Sequence, residues 1–316
     1  MSSSSLVPYH AQDALGQALG WAALPDGERR RRAAAAAATH DAQALQELAD
    51  AYLVLHGRAG AHVSAHTRTA YAVGVRALLR CWQQENLLHP SRDAASVWIR
   101  SLEGAGASPA TIRVRVAAGR MLYRALRWSA ATTTDPFTDV TPPRDPTAAW
   151  EKRKPYEPAE LEKLLAVAAP RDRALVLIGA HAGLRVAETC ALTWSAVDLT
   201  GGAITVASGK GRKRRSVPRS ATLKSALEAL GQGALDARIF ALEPDSVRDR
   251  MERLCRRAQV PYRGYHALRH AAGTRAAREG LGLDGLASFL GHANLDTTRV
   301  YLHYADESVA RTIGGW

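Results

Sequence analysis

The 316-residue chain is short of several things, and each shortage narrows the reading. Three cysteines, Cys81, Cys190 and Cys255, are too few for a disulfide scaffold, and none sits in a metal-ligand or redox pair. Each lies in an apolar helical pattern and reads as a small core residue in a protein of a reducing compartment. There is no stretch of about 18 apolar residues, and the N-terminus lacks the charged-then-apolar order of a signal peptide. A membrane protein is therefore set aside and a cytoplasmic one expected.

What the chain has in excess is positive charge. Lys and Arg number 42 against 30 Asp and Glu, a formal net charge of +12. The excess is Arg-rich and shared, +4 on residues 1–150 and +8 on residues 151–316. It favours a polyanion such as nucleic acid over an acidic small molecule. A hydrophobic content of 47% suffices for packed cores in two ordinary domains.

Residues 1–39 are Ser-rich and then Ala-rich, with Arg29 to Arg32 followed by six alanines. Little large apolar surface is offered for docking, so a short helix or a partly flexible arm is expected. From Asp41 to Trp128 the periodicity is helical. Tyr71, Val75, Leu78, Leu79 and Trp82 form one buried stripe behind the candidate caps Ser64 and Thr67. A further helix starts at Ser108-Pro109 and runs to about Trp128. On it Arg113, Arg120, Arg124 and Arg127 share one face, opposite Met121, Leu122 and Leu126. Such a face either follows a phosphate backbone or is simply solvated, and Arg115 on the apolar side breaks the pattern. Residues 132–155 carry Pro136, Pro142, Pro143, Pro146 and Pro155 with the run Lys152-Arg153-Lys154, which excludes a long helix and suggests a linker. Beyond it, helices are expected over Pro158–Ala168 and from Arg171 to His181, ending at Gly183. A β-hairpin follows from Ala203–Ala207 to Ser216–Pro218, and helix after that.

Three segments carry chemistry-bearing side chains. In His181-Ala-Gly-Leu-Arg185-Val-Ala-Glu188, the arginine and glutamate are three apart, which reads either as a positioned guanidinium or as an i,i+3 salt bridge. In His266-Ala-Leu-Arg269-His270, the spacing puts all three polar side chains on one helical face. Two histidines four apart suit zinc, but the glutamate of the zinc-protease motif is replaced by Ala267, and Arg269 repels a cation. A solvated face and an anion site stay open. In the third segment Gly291 ends one helix before His292, and Asp296-Thr297-Thr298 can cap the next, which places Tyr301 early on it. Clustered carboxylates, which a metal-dependent nuclease needs, are missing from all three.

Taken together, these segments resemble the tyrosine recombinase and phage integrase family. The signature is matched by Arg185 in "AGLRVAE", His266 and Arg269 in "HALRH", His292 in "LGH" and Tyr301 nine residues on. Lys210 in "SGKGRKRR" matches the family's β-hairpin lysine, and the helical N-terminal half resembles the core-binding domain. Size and order are most similar to the Xer branch. The extension of about forty residues and a second tyrosine, Tyr304, depart from the pattern.

The resemblance implies a mainly α fold with a small β-hairpin in the C-terminal domain, organised as a two-domain DNA clamp. The expected parts are an N-terminal extension (1–39), a helical core-binding domain (40–135), a linker (136–155) and an α+β catalytic domain (156–316). It implies that Arg185 and Arg269 grip the non-bridging oxygens of a phosphodiester, with His292 as a further donor. Tyr301 would attack phosphorus, His266 would accept or relay its proton, and Lys210 would protonate the departing 5′-oxygen. Glu188 would orient Arg185. Arg113, Arg120, Arg124, Arg127, Arg212 and Lys213 are candidate DNA contacts, whereas the stretch Arg212 to Arg215 is otherwise expected on backbone or solvent. No metal or other cofactor is expected, because the phosphotyrosine keeps the ester's energy for religation. The implied partner is double-stranded DNA bearing a specific recombination site, bound by a homotetramer or a heterotetramer with a paralogue that passes through a Holliday junction. The tail from Ala305 to Trp316 is expected to pack partly on a neighbouring protomer. The nearest alternatives are a type IB topoisomerase-like relaxing enzyme, a telomere resolvase with a similar pocket, and a DNA-binding protein without catalysis.

Overall fold

A computed structural model describes residues 9–147, 151, 154–207, 214–292 and 295–301. The chain divides into two units, Met1–Pro146 and Thr147–Trp316.

The first unit is helical: α1 (Tyr9–Ala23), α2 (Asp26–Ala38), α3 (Ala42–His56), α4 (Ala65–Cys81), α5 (Ala94–Gly104) and α6 (Pro109–Trp128). The starts of α3, α4 and α6 are set by side-chain caps. Ser64 Oγ accepts from the Thr67 N–H (3.1 Å) and Ser108 Oγ from the Thr111 N–H (3.2 Å), while Asp41 takes the Gln43 and Ala44 N–H groups. The expected stripe is the core face of α4: Val75, Leu78, Leu79 and Trp82 are buried. The centre of the core is aromatic. Trp82 stacks on Phe137 with ring centroids 6.0 Å apart, and Trp98 and Tyr123 meet the same phenylalanine at an angle.

Three expectations change here. The N-terminal extension is not an arm from Tyr9 onward: α1 and α2 bury Ala14, Ala18, Trp21, Ala33, Ala36 and Ala37 in this core. Alanines supply little area, but they let helices approach closely, and arginines add cation–π contacts. The Arg32 guanidinium lies 4.4 Å from the Trp21 ring centre and that of Arg29 5.0 Å from Trp128. The Pro-rich segment also begins inside the domain, since Phe137 is buried within it. Cys81 is exposed, because the α4 stripe turns the neighbouring Trp82 inward instead, whereas Cys190 and Cys255 are buried.

The second unit begins with α7 (Pro158–Val167), α8 (Pro170–Ala182) and the short α9 (Val186–Cys190). Then come β1 (Ala203–Ala207) and β2 (Arg214–Pro218), α10 (Ala221–Glu228), α11 (Pro244–Ala258), α12 (His266–Arg278) and α13 (Leu283–Leu290). The strands pair antiparallel, Ala203 opposite Pro218 and Ala207 opposite Arg214. In α8 every residue from Ala174 to Ala180 is buried, so this helix is the unit's axis. It packs against α12, whose Leu268 is fully enclosed. Tyr265, at the head of α12, donates to the Leu175 carbonyl (3.2 Å) and meets Thr189 Oγ1 (2.9 Å), which fixes where α12 starts relative to α8 and α9.

Because Phe137 closes the aromatic core of the first unit, Phe137→Ala should cost about 3 kcal/mol or more. Urea denaturation of the variant would measure it, and an unchanged midpoint would contradict this packing.

Candidate active site

Three chain reversals of the second unit hold the signature residues. At the first, α8 ends on Gly183 in the left-handed conformation (φ 62°) and α9 opens with Arg185. At the second, α13 ends on Gly291, also left-handed (φ 64°), one residue before His292. The third is the foot of the β-hairpin, where β2 begins at Arg214 and Arg215.

The basic groups are held by one shared carboxylate and by carbonyls at helix ends. Arg269, on α12, is 1% exposed, and its Nη1 and Nη2 donate to the carbonyls of Gly183 and Leu290, each at 2.5 Å. These carbonyls lie at helix C-termini, where oxygens lack intrahelical partners and the helix dipole is negative. A buried guanidinium satisfies both and leaves further N–H donors for a ligand. Burial and then the repulsion of Arg185 lower its pKa to about 10, so it stays cationic at neutral pH.

Glu188 is the counter-charge. Its Oε2 accepts from the Arg185 backbone N–H (2.8 Å) and its Oε1 from Arg185 Nη1 (2.9 Å). Arg215 also grips it with both nitrogens, each at 2.8 Å. Burial alone would raise this carboxyl, but the Arg215 and Arg185 hydrogen bonds and charges outweigh burial and hold it at about 2. Arg185 Nη2 reaches the Gly291 carbonyl (3.1 Å) while its side chain stays 38% exposed. Gly291 has to be glycine on two counts: its φ, and an Arg215 Cδ that would stand 2.7 Å from any Cβ. Arg215 therefore ties the hairpin foot to both other reversals. Its expected place on backbone or solvent is corrected: with 12% of its side chain exposed it is a buried partner of Glu188. In the basic run Arg212-Lys213-Arg214-Arg215, only strand pairing decides which of three arginines turns inward.

His292 Nδ1 is 2.8 Å from Thr298 Oγ1, and the Thr298 carbonyl accepts the Tyr301 N–H (3.0 Å). This fully buried threonine, noticed in the sequence only as a possible helix cap, orients both groups. Residues Arg299–Tyr301 form a 3₁₀ turn. The Tyr301 ring lies against α12 over Gly273, where a Cβ would come within 2.6 Å of ring carbons. Its hydroxyl is 2.9 Å from His270 Nδ1, and the His270 and His266 rings meet edge to face at 4.7 Å. Arg185, Glu188, His266, Arg269, His292 and Tyr301 are thus linked in one network. Gly273 and Arg215 join it without having been singled out, and His270 and Thr298, named in the sequence only as a possible metal ligand and a possible helix cap, join it in other roles.

Lys210, Arg212, Lys213, Tyr304 and the tail 305–316 lie outside the described residues, as do Lys152 and Arg153. Of the arginines expected to form one face of α6, Arg113 and Arg124 are exposed. Arg120 instead donates to the Val140 carbonyl (2.5 Å) and Arg127 pairs with Asp135 (2.5 Å). The face is therefore divided: two of its four cations bind the segment that carries Phe137 back over the core. Among the described residues no group of His, Cys, Asp or Glu could hold a metal ion, and no helix is long and apolar enough to cross a membrane.

Residues 156–308 match the model of the phage integrase family, and residues 59–130 that of the phage integrase N-terminal SAM-like domain. Tyrosine recombinase XerA of Thermococcus kodakarensis is 30% identical over 265 residues, 80% of this chain and 88% of that one. The chain belongs to the phage integrase family of tyrosine recombinases. Tyrosine recombinase XerC of Xanthomonas campestris pv. campestris is 28% identical over 307 residues, 92% and 94% of the two chains. The recombinase also shares its fold with two solved structures. One is the site-specific recombinase XerH bound to a palindromic difH substrate, with TM-score 0.65, 17% identity and 95% and 96% coverage. The other is the Tn1549 transposon integrase in complex with transposon right end DNA, with TM-score 0.65, 18% identity and 85% and 99% coverage.

The pocket's electrostatics make a pH prediction. Burial, then the charges of Arg269, Arg185, His266 and Arg215, lower the His292 pKa from 6.5 to about 4. Burial, then Arg275, bring His181 to about 4 as well. Both groups bind fewer protons folded than unfolded between those values, so stability should fall as pH drops from 6.5 to 4. Glu188 adds a contribution present above 4.5 and lost as pH falls toward 2. An NMR titration should place the His292 imidazole near 4 in the free protein and higher with a phosphodiester bound; a free value near 6.5 would contradict the cationic pocket.

Proposed function

We propose that this recombinase cuts and rejoins double-stranded DNA at a specific site through a covalent bond between Tyr301 and a 3′-phosphate, passing through a Holliday junction. The observation that carries the reading is two guanidiniums on one carboxylate, with the buried guanidinium of Arg269 and the buried phenol of Tyr301 in the same network. Three cations against one anion leave a surplus of positive charge that a phosphodiester would neutralise. A planar guanidinium can bind two phosphate oxygens at once, and it does so most strongly when charge accumulates on them in the transition state.

Arg185, the more exposed of the two signature arginines, meets the incoming phosphate, and Arg269 backs it from within. His292, neutral in the free protein, donates from Nε2 when Nδ1 accepts from Thr298. Lys210, on the loop between the strands, supplies the proton for the departing 5′-oxygen. His266, whose ring meets that of His270, would accept or relay the proton that Tyr301 gives up. The similarity to XerC and XerA supports site-specific recombination of the Xer type, as in chromosome dimer resolution or integration and excision. Assembly is then a homotetramer, or a heterotetramer with a paralogue, on paired DNA sites, with exposed Arg113 and Arg124 of α6 and Arg212 and Lys213 of the hairpin as backbone contacts.

Tyr301→Phe should abolish the covalent adduct on a nicked suicide duplex while leaving DNA binding within about twofold of wild type. An adduct that persisted would move the nucleophile elsewhere. Arg185→Lys should lower strand cleavage by about 100-fold or more, because an ammonium reproduces neither the fork to phosphate nor the contact with Glu188. Wild-type cleavage by the lysine variant would contradict the clamp.

A further inference from the structure

Three groups converge on the Tyr301 hydroxyl in ways the family signature does not specify. His270 stands one helical turn after His266 on the same face of α12, and its Nδ1 is 2.9 Å from the phenol oxygen. It is 7% exposed, so water competes little for that hydrogen bond. Gly273, one further turn toward the end of α12, leaves the gap into which the ring fits, and any side chain there would push the phenol off the helix. The Tyr301 backbone is held from the other side by Thr298, whose hydroxyl in turn meets His292. Helix spacing, an absent side chain and a fixed turn thus deliver the hydroxyl to one imidazole nitrogen.

We infer that His270 is the proton acceptor for Tyr301 in strand cleavage. The inference rests on the reading of Tyr301 as the nucleophile and adds the group that activates it. With the imidazole proton on Nε2, the phenol donates to Nδ1. As Tyr301 Oη forms its bond to phosphorus, the O–H bond breaks and the proton passes to Nδ1, giving an imidazolium. The phosphorus–5′-oxygen bond breaks at the same centre, and the leaving oxygen takes the proton that the proposed function assigns to Lys210. Religation reverses each transfer: the 5′-hydroxyl attacks, the phenolate departs, and His270 returns the proton to it. Arg269, one residue before His270 and charged, favours the phenolate. The His266 ring meets that of His270 edge to face.

Single-turnover cleavage of a nicked duplex, built on the sequence that the wild-type protein protects within a fragment pool, tests this. His270→Ala should bind that duplex as wild type does but cleave it about 100-fold more slowly or worse. Added imidazole should restore at least part of the rate. A fluorinated tyrosine at position 301, whose phenol gives up its proton more readily, should recover about tenfold in this variant and little in the wild type. His270→Asn keeps the bulk and an acceptor oxygen but cannot carry the proton, so it should be slow and rescued by fluorination alone. Cleavage by either variant at or above the wild-type rate would overturn the inference, as would a defect that neither imidazole nor fluorination relieves. Those outcomes leave the reading of Tyr301 intact as long as the wild type forms its adduct there; a wild-type protein with no adduct at Tyr301 would remove both.

Discussion

Like charges do not gather without a reason, and the second unit of this recombinase is built around supplying one. Two unit charges about 4 Å apart near a protein surface interact by roughly 4 kcal/mol, so several guanidiniums brought to one place need compensation. Here a single buried carboxylate and three carbonyls at helix ends provide it. Glu188 receives two guanidiniums, Gly183 and Leu290 receive Arg269, and Gly291 receives Arg185. The compensation is incomplete in net charge, and on the proposed function a phosphate would complete it.

The same contacts also fix the architecture. The end of α8, the end of α13 and the start of β2 are far apart in sequence; the first two receive hydrogen bonds from Arg269 and Arg185, and the third supplies Arg215 to Glu188. The site is therefore a set of tertiary contacts in its own right, and loosening one reversal disturbs the others. Thr298 extends this logic to Tyr301, since one residue orients His292 by its side chain and Tyr301 by its carbonyl. The first unit shows a related economy. Arginines that look available for DNA on a helical wheel are partly engaged in closing that unit's own core.

How much of this was legible in the sequence depends on the range of the interaction. Helix starts at Ser64 and Ser108 and the end of α8 at Gly183 followed from local capping chemistry, because cap and helix lie within a few residues. The fold class and the hairpin followed from periodicity in the same way. The signature residues were legible through family resemblance, since Arg185 and Arg269 meet only across tertiary contacts that no local pattern encodes. Arg215 and Thr298 were missed for that reason: one in a run of basic residues, the other in a pair of threonines, each is distinguished only by what packs against it. His270 was visible as part of a motif, but its partner Tyr301 is thirty-one residues away. The docking of α1 and α2 was misjudged because side-chain area was weighed without the close approach that alanines allow.

The most direct test of a single phosphate held by these groups is a crystal structure of the protein with DNA strands and vanadate in place of the scissile phosphate. The account predicts a five-coordinate vanadium bonded to Tyr301 Oη, with Arg185, Arg269 and His292 within hydrogen-bonding distance of its equatorial oxygens. Vanadium bonded through another side chain, or seated away from those arginines, would contradict it.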